Sequence, residues 1–305
     1  MHLTVGVFGN NDVAKKLAKA GTINDIAIYN HGSSEGVLTY VCPSSEKVQP
    51  LLQTIGMIDF PVVVFSQITK ELAEQIVALD AAGFENGLLV SDGVPNEQIN
   101  SLVKGNRLEK FPVISNDLVE LRQAILKMPV ARDFATQPWL PVDNYFTVKG
   151  VGTVILTVMK HGKLKKYDNL RIEPLGKEVM IKGIQSQDRD FTEAEAGMRL
   201  GLNIKGAETD ELKRGYVVCK EAKVSKEVTA TFAKSRYSKE EIVKGNQIHV
   251  SVGLQVIAAT VQEIQPGKLV LKLEQPLAYM GGQKYILAST KQVMPRILGS
   301  GILEA

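Results

Sequence analysis

The chain has 305 residues, of which 44% are hydrophobic and 23% charged, and its formal net charge is +3. This length suits two or three domains, and this composition is typical of globular proteins. No apolar run approaches the roughly 20 residues of a membrane-spanning helix. Two distant cysteines and four scattered histidines predict neither a disulfide scaffold nor a metal site nor a catalytic Ser-His-Asp set. The start of the chain lacks the basic segment of a signal peptide, so we expect a cytoplasmic protein without membrane contact.

The first 128 residues alternate short apolar runs with amphipathic stretches. Leu72, Ile76 and Leu79 recur at spacings of four and three, which predicts a helix with one apolar face. Turn-forming residues over 30–36 predict that the two flanking runs pair as a hairpin. The remaining alternation of strands and helices predicts a mostly parallel sheet covered on both faces. The predicted strands are 3–8, 26–29, 37–41, 61–65, 87–90 and 112–114, and the predicted helices are 12–20, 45–55, 69–82, 95–104 and 117–128.

The pattern changes after residue 128. Residues 129–138 contain two prolines and no periodicity, which predicts a linker. Beyond it, short strands separated by Gly, Asp, Asn and Lys turns predict antiparallel β-barrels. We therefore predict an α/β domain over 1–128, the linker, a barrel over 139–222 and a second barrel over 223–305. The predicted barrel strands are 146–148, 152–159, 170–173, 178–181, 199–204 and 216–219, then 227–232, 247–252, 255–264, 269–273, 283–287 and 294–303.

A candidate phosphate-binding loop lies between the first predicted strand and helix. In the pattern G-x-x-x-x-G-K-[ST], backbone N–H groups surround the phosphates, the lysine neutralises their charge and the hydroxyl holds Mg²⁺. Gly9, Asp12 and Lys15 fall in this stretch, but Ala14 replaces the second glycine and Lys16 the hydroxyl. Because Lys16 offers no oxygen to Mg²⁺, at most a vestigial nucleotide site is predicted. The alternative is a plain strand–turn–helix with Asp12 near the helix start and Lys15 on a solvated face.

Four segments of the chain carry a family resemblance. The segment 140–154, LPVDNYFTVKGVGTV, resembles the opening of the second domain of the EF-Tu-like translational GTPases, and its FTVKG string is most similar to the selenocysteine-specific elongation factors. AGMRLGLNIKG at 196–206 and KRGYVV at 213–218 resemble later parts of that domain, and PRILGSGIL at 295–303 resembles the last strand of the third domain. The resemblance implies a P-loop-NTPase-like parallel-sheet domain followed by two antiparallel barrels.

The resemblance also indicates where GTP-binding motifs would lie. The D-x-P-G-H motif falls on VCPSS at 41–45, which keeps only the proline, and the N-K-x-D motif falls on LVSDGV at 89–94, which lacks the pattern. Only Ser115 resembles the last loop around the guanine. We therefore expect no catalytic residues and no cofactor, with GTP and Mg²⁺ bound only if Gly9, Asp12 and Lys15 still hold phosphate.

In the selenocysteine-specific factors the aminoacyl end of the tRNA lies on the second domain, where basic groups suit an ionised selenol. By resemblance, Asp143 corresponds to an acidic residue of that pocket, Phe146 to an aromatic one and Arg199 to a later arginine. Asn144 replaces a basic residue, which argues against selenocysteine as the ligand. The structural alternative is that Asp143 caps a turn, Phe146 belongs to the core and Arg199 lies on the barrel rim.

The expected partners are tRNA or the ribosome, with a translation-factor protein as a further possibility. Two lysine-rich segments are candidates for phosphate contacts or ordinary solvated turns: Lys160, Lys163, Lys165 and Lys166, and Lys234, Arg236, Lys239 and Lys244. The favoured hypothesis is a factor that binds tRNA, aminoacyl-tRNA or the ribosome without GTP hydrolysis. The alternatives are a divergent GTPase that has replaced its lost groups and a protein-interaction regulator of translation.

Overall fold

The structure is a computed structural model and describes residues 1–304. Its N-terminal domain contains a seven-stranded sheet in the order β2-β3-β4-β1-β5-β6-β7. Strands β4, β1, β5, β6 and β7 are parallel, and β2 and β3 are antiparallel additions. The strands are β1 (His2–Phe8), β2 (Lys19–Ile23), β3 (Ile26–Gly32), β4 (Val37–Pro43), β5 (Phe60–Phe65), β6 (Leu88–Ser91) and β7 (Val113–Ser115), and the helices are α1 (Asp12–Leu17), α2 (Val48–Met57), α3 (Lys70–Ala82), α4 (Asn96–Val103) and α5 (Leu118–Leu126).

Local sequence explains most of these elements. Every residue of β5 is buried, as expected for a central parallel strand with helices on both faces. Helix α3 begins where Thr69 Oγ1 accepts a hydrogen bond from Leu72 N (3.1 Å) and ends at Gly83, whose φ of +72° favours glycine. The predicted hairpin is confirmed, since β3 and β4 pair antiparallel around the turn. Within residues 1–304, no helix has the length and apolar character that crossing a membrane requires.

Helix α1 is shorter than the sequence predicts. We predicted a helix over 12–20, but α1 ends at Leu17 and Lys19–Ile23 forms the edge strand β2. This strand pairs with β3, with Lys19 opposite Asn30. Gly21 disfavours a helix, and the ladder with β3 satisfies backbone groups that a longer helix would have used. The correction matters because the β2–β3 hairpin reaches the next domain.

The following part is a closed antiparallel barrel. Its sheet order is β11-β16-β8-β9-β15-β12-β13, and pairing of β11 with β12 closes six of these strands into a ring. Closure removes exposed strand edges and encloses a core of aliphatic side chains such as Ile155, Ile181 and Leu202. The strands are β8 (Trp139–Val148), β9 (Gly152–Val158), β10 (Lys163–Lys165), β11 (Asn169–Glu173), β12 (Lys177–Ser186), β13 (Arg189–Phe191), β14 (Glu193–Glu195), β15 (Arg199–Lys205) and β16 (Val217–Cys219).

The C-terminal part is a curved antiparallel sheet rather than a second fully laddered barrel. Its seven strands follow the order β17-β21-β20-β19-β22-β23-β18. A single bridge between Ala230 and Leu303 connects the β17 edge to the residue after β23. The strands are β17 (Lys223–Thr231), β18 (Ala233–Lys234), β19 (Gln247–Val252), β20 (Gln255–Gln265), β21 (Lys268–Tyr279), β22 (Lys284–Ser289) and β23 (Ile297–Ile302).

The N-terminal domain packs directly on this C-terminal sheet. Helices α2 and α3 share one hydrophobic cluster with Ile286 and Ile297 of the sheet and with Leu254 in the β19–β20 turn. Within that interface, Arg296 donates from its backbone N (2.7 Å) and its Nε (2.9 Å) to Glu74 Oε1. Both side chains are almost fully buried, at 6% and 3% exposure. Because a buried charge is stable only when paired, this contact fixes the relative position of the two parts.

Candidate functional site

The turn after β1 is a tight bend, and its backbone donors are partly occupied. Gly9 has φ +82°, and a Cβ built there would lie 2.1 Å from the Val64 carbonyl oxygen. Gly9 N donates to Gln75 Oε1 (2.8 Å), and Asp12 N donates to Asn10 Oδ1 (3.0 Å). Two N–H groups that could face a phosphate are therefore bonded to side chains of the protein itself.

Asp12 and Lys15 pair with each other at the surface. Lys15 Nζ lies 2.6 Å from Asp12 Oδ1, and the two side chains are 58% and 62% exposed. The hydrogen bond from Lys15 lowers the pKa of the Asp12 carboxyl, and the same contact raises the pKa of Lys15. Ala14 is fully buried inside α1, whereas Lys16 is exposed. The structure thus groups Gly9, Asp12 and Lys15 at one turn, in the geometry of the strand–turn–helix alternative.

Four polar side chains bond to one another where the parallel strands end. Asp92 Oδ2 accepts from the Ser66 hydroxyl, and Asp92 Oδ1 accepts from Asn116 Nδ2 (2.8 Å). Asn10 Nδ2 donates to Ser66 Oγ (2.9 Å). These contacts, the one from Ser66 above all, lower the pKa of the Asp92 carboxyl. Ser115 does not join this group, because its hydroxyl donates to Glu120 Oε2 (2.8 Å).

The groups around this edge differ from those of the phosphate-loop and D-x-P-G-H patterns. A cavity of about 400 Å³ beside α1 is lined by Glu46 and Glu71 but also by Lys15 and Lys47, and the Glu74 carboxylate in its wall is paired with Arg296. Cys42 stands just before the proline at the D-x-P-G-H position and is fully buried, which raises the pKa of its thiol to about 12. Residues 1–304 contain no group of three or more His, Cys, Asp or Glu side chains that could hold a metal ion. Lys16 offers no oxygen ligand either.

The barrel places Asp143 and Arg199 in direct contact. A bulge in β8 lies at Asp143, since Val142 pairs with Thr157 while Asn144 pairs with the preceding Leu156. The extra residue turns the Asp143 side chain, and Arg199 Nη1 donates to its Oδ2. The two side chains are 11% (Arg199) and 5% (Asp143) exposed. Asp143 Oδ1 is buried without a hydrogen-bond partner.

An open cavity of about 550 Å³ lies beside this ion pair. It separates the β2–β3 hairpin from the outer face of the barrel, and Phe146 and Arg199 both line it. Phe146 is 42% exposed, so it is not core. Asn144 faces a separate small gap that it shares with Thr22 and Asn24 of the hairpin. The structure therefore brings Asp143, Phe146 and Arg199 together and places Asn144 to one side.

Arg214 connects this site to both neighbouring parts of the molecule. Its Nε donates to the Asp143 carbonyl (2.9 Å), and its Nη1 donates to Asp25 Oδ2 (2.8 Å) and Gln53 Oε1 (3.3 Å). Gln53 Nε2 then donates to the Leu254 carbonyl (3.0 Å) in the β19–β20 turn of the C-terminal part. In the sequence Arg214 stands out only as part of the string KRGYVV, because the contacts that give it this role are distant in sequence.

Lys160 is not a surface phosphate contact. Its Nζ donates to the carbonyls of Met57 (3.1 Å) and Ile58 (3.2 Å) in the N-terminal domain, and burial lowers the pKa of its amine. The prediction that it belongs to an accessible basic group is therefore wrong. The other three members, Lys163, Lys165 and Lys166, are exposed.

The sequence of the chain is similar to translation elongation factors. A family model described as elongation factor Tu domain 2 matches residues 152–219. An uncharacterized protein of Methanocaldococcus jannaschii is 36% identical over 306 residues, which cover 99% of each chain. The selenocysteine-specific elongation factor of the same organism is 27% identical over 264 residues, or 83% of this chain and 52% of that protein. The chain thus spans about half the length of that elongation factor.

The fold is similar as well. The crystal structure of translation elongation factor SelB from Methanococcus maripaludis in complex with the GTP analogue GppNHp matches with a TM-score of 0.85. That match has 19% sequence identity and covers 100% of this chain and 79% of the other. The apo form of the same factor matches with a TM-score of 0.82 at 18% identity, over 100% of this chain and 80% of that one. At such identity the similarity shows the three-part architecture.

Proposed function

This chain belongs to the EF-Tu-like superfamily of translational GTPases, close to the selenocysteine-specific elongation factors, and from that premise we propose that it binds aminoacyl-tRNA without hydrolysing GTP. Its barrel and the β2–β3 hairpin would hold the aminoacyl end, and exposed lysines would meet the RNA backbone. The ribosome is the other nucleic-acid partner consistent with this family, and a cytoplasmic location follows from such partners.

The open cavity beside Asp143 and Arg199 is the observation that carries the proposal. It combines an exposed aromatic ring, Phe146, with open space beside the buried Asp143–Arg199 pair. Aromatic faces stack on bases, so the ring offers a surface to the aminoacyl end of a tRNA. Exposed Lys163, Lys165 and Lys166 lie on the same barrel and supply positive charge for an RNA backbone.

The absence of GTP hydrolysis is proposed from the closed strand edge. There Asn10, Ser66, Asp92 and Asn116 bond to one another, and Gly9 N is occupied by Gln75. A nucleotide would have to break these bonds and find its Mg²⁺ ligands elsewhere. Phosphoryl transfer depends on that metal and on positioned donors, so no catalytic step is assigned to these residues.

A tRNA titration at several salt concentrations tests the proposal. We expect saturable binding of aminoacyl-tRNA whose affinity falls as salt rises, because lysine–phosphate contacts release counterions. Phe146→Ala should weaken binding by about 1–3 kcal/mol if a base or the terminal adenosine stacks on the ring. Phe134→Ala is the matched control, since that ring is 43% exposed and lies outside the cavity.

Arg199→Ala should also weaken binding, but it leaves Asp143 buried and unpaired. Thermal unfolding of this variant must therefore accompany the titration. Absence of tRNA binding by the folded wild-type protein at low salt would refute the proposal. Co-purification with a translation factor in that case would favour the protein-interaction alternative.

A guanine-nucleotide titration on the same sample distinguishes the proposed function from the alternative of a divergent GTPase. We expect neither saturable binding nor phosphate release with Mg²⁺ present. Saturable GTP binding with Mg²⁺-dependent phosphate release would establish the divergent enzyme instead.

A further inference from the structure

The wall of the open cavity is strongly apolar on one side. Along β9, Val154 and Leu156 alternate with core residues and therefore project outward into the cavity. Phe146 stands directly opposite Val154 in the ladder between β8 and β9. Val148 and Val151 extend this strip around the β8–β9 turn. A ligand group that covers this strip gains from being uncharged and apolar.

The lining of the cavity also has an acidic rim. Asp188 lies in the turn between β12 and β13, Asp190 lies within β13, and both line the cavity. Gln187 and Asp188 have φ of +51° and +59°, which makes the turn tight. Gln185 Nε2 donates to Asp190 Oδ1 (2.9 Å), leaving the rest of that carboxylate for a ligand. A cationic donor is the complementary partner for this rim.

Arg199 does not offset these carboxylates. Its guanidinium is already paired with the buried Asp143, so the pair together is neutral. The remaining charged groups of the lining are Asp188 and Asp190, within the part of the chain that the structure describes. An anion entering the cavity would therefore meet two carboxylates and no free cation.

We propose that this cavity selects aminoacyl groups with an uncharged, apolar side chain and a free α-ammonium, and that it rejects anionic ones such as selenocysteine. The apolar strip would receive the side chain, and Asp188 and Asp190 would face the ammonium. At about 550 Å³ the cavity has room for any natural aminoacyl group. This inference rests on the proposed binding of aminoacyl-tRNA and adds the class of amino acid.

A single tRNA body carrying different esters provides the test. The series is deacylated tRNA, leucyl-tRNA, N-acetyl-leucyl-tRNA, aspartyl-tRNA and selenocysteinyl-tRNA. We expect leucyl-tRNA to bind about tenfold or more tighter than each of the others, a ratio within reach of an apolar pocket. N-acetyl-leucyl-tRNA should lose affinity because its amine carries no charge. Equal or tighter binding of aspartyl-tRNA or selenocysteinyl-tRNA would overturn the inference.

Two variants locate the selectivity in the cavity. Gly201 lies on the cavity floor, and a Cβ built there meets Leu156 Cδ2 at an ordinary 3.6 Å. Gly201→Val should therefore fill the space without straining the barrel and bring leucyl-tRNA down to the affinity of deacylated tRNA. Gly32→Val is the matched control, since its Cβ would have open space outside the cavity. An unchanged preference for leucyl-tRNA in folded Gly201→Val would place the selectivity elsewhere.

The double variant Asp188→Asn with Asp190→Asn removes the acidic rim without changing side-chain size. It should reduce the discrimination against aspartyl-tRNA and abolish the difference between leucyl-tRNA and its N-acetyl form. If that difference persists, the rim does not contact the ammonium and the inference fails. If no tRNA in the series binds, the proposed function itself fails, whereas equal binding of all of them removes only the selectivity.

Discussion

The strand edge of the N-terminal domain and the outer face of the barrel differ in how their polar side chains are hydrogen-bonded and in the space beside them. At the edge, Asp92 takes hydrogen bonds from Ser66 and Asn116, and little is left for a ligand. On the barrel, Asp143 and Arg199 pair with each other, Asp143 Oδ1 has no hydrogen-bond partner, and a cavity of about 550 Å³ remains open beside the pair. The two regions therefore differ in the lining of the space beside them, which carries charges of both signs beside α1 and an apolar strip on the barrel.

The buried Glu74–Arg296 pair holds the N-terminal domain on the C-terminal sheet, and Glu74→Ala should have the largest effect on stability. The change leaves Arg296 buried with only the Glu46 carbonyl as acceptor, so we expect a loss of about 3–5 kcal/mol in the free energy of unfolding. Chemical denaturation measures it. Asp12→Ala, which removes an exposed pair, should leave the free energy of unfolding nearly unchanged. Equal effects of the two would mean that the interface does not hold the domains.

Gly9→Ala should destabilise the protein by straining the backbone of the turn after β1. The new Cβ would meet the Val64 carbonyl oxygen, and alanine resists the φ of +82°. We expect destabilisation of about 1–3 kcal/mol, measured by denaturation, with tRNA affinity unchanged. Gly32→Ala, where a Cβ has open space, is the control. A stable Gly9→Ala protein would show that this turn is looser than its contacts indicate.

Asp92→Asn should change how stability depends on pH. Hydrogen bonds from Ser66 and Asn116 hold the pKa of the folded Asp92 carboxyl below its ordinary value. The unfolded chain therefore binds the proton more readily, and the stabilisation is present above that ordinary value and lost as pH falls through the folded pKa. We expect wild type to exceed Asp92→Asn in stability at neutral pH, with the gap closing in acid. A gap that stays constant with pH would contradict this account.

The smallest expected effect is that of GTP itself. With Mg²⁺ and GTP added, we expect no shift in the melting temperature, because a ligand stabilises only the state that binds it. A shift that grows with GTP concentration and needs Mg²⁺ would mean that the strand edge opens, and the contrast with the barrel would disappear.

Much of the fold could be predicted from the sequence, because periodicity and turn residues are local signals. The hairpin around residues 30–36 and the change from α/β to all-β structure are confirmed. The predicted end of α1 was wrong because residues 19–23 pair with β3 as a strand instead of continuing the helix. That the C-terminal sheet does not close into a fully paired barrel could not be predicted, because strand register between distant segments is not encoded in short strand patterns.

The candidate site was predictable only in part. The resemblance located Asp143 and Arg199, but not the bulge that turns one toward the other. Asp92 and Asn116 each follow a parallel strand directly, so their meeting at one sheet edge could have been inferred from that position. The burial of Lys160 could not, because its acceptors, the carbonyls of Met57 and Ile58, lie about a hundred residues away, at separations of 103 and 102.

Arg214 fixes the position of the barrel relative to the N-terminal domain. One guanidinium touches the backbone behind Asp143 and reaches Asp25 and Gln53 on the neighbouring domain. The wall of the cavity is consequently formed before a ligand binds. A ligand therefore does not need to spend binding free energy on bringing the domains together. Such preorganisation favours tight binding without a bound nucleotide.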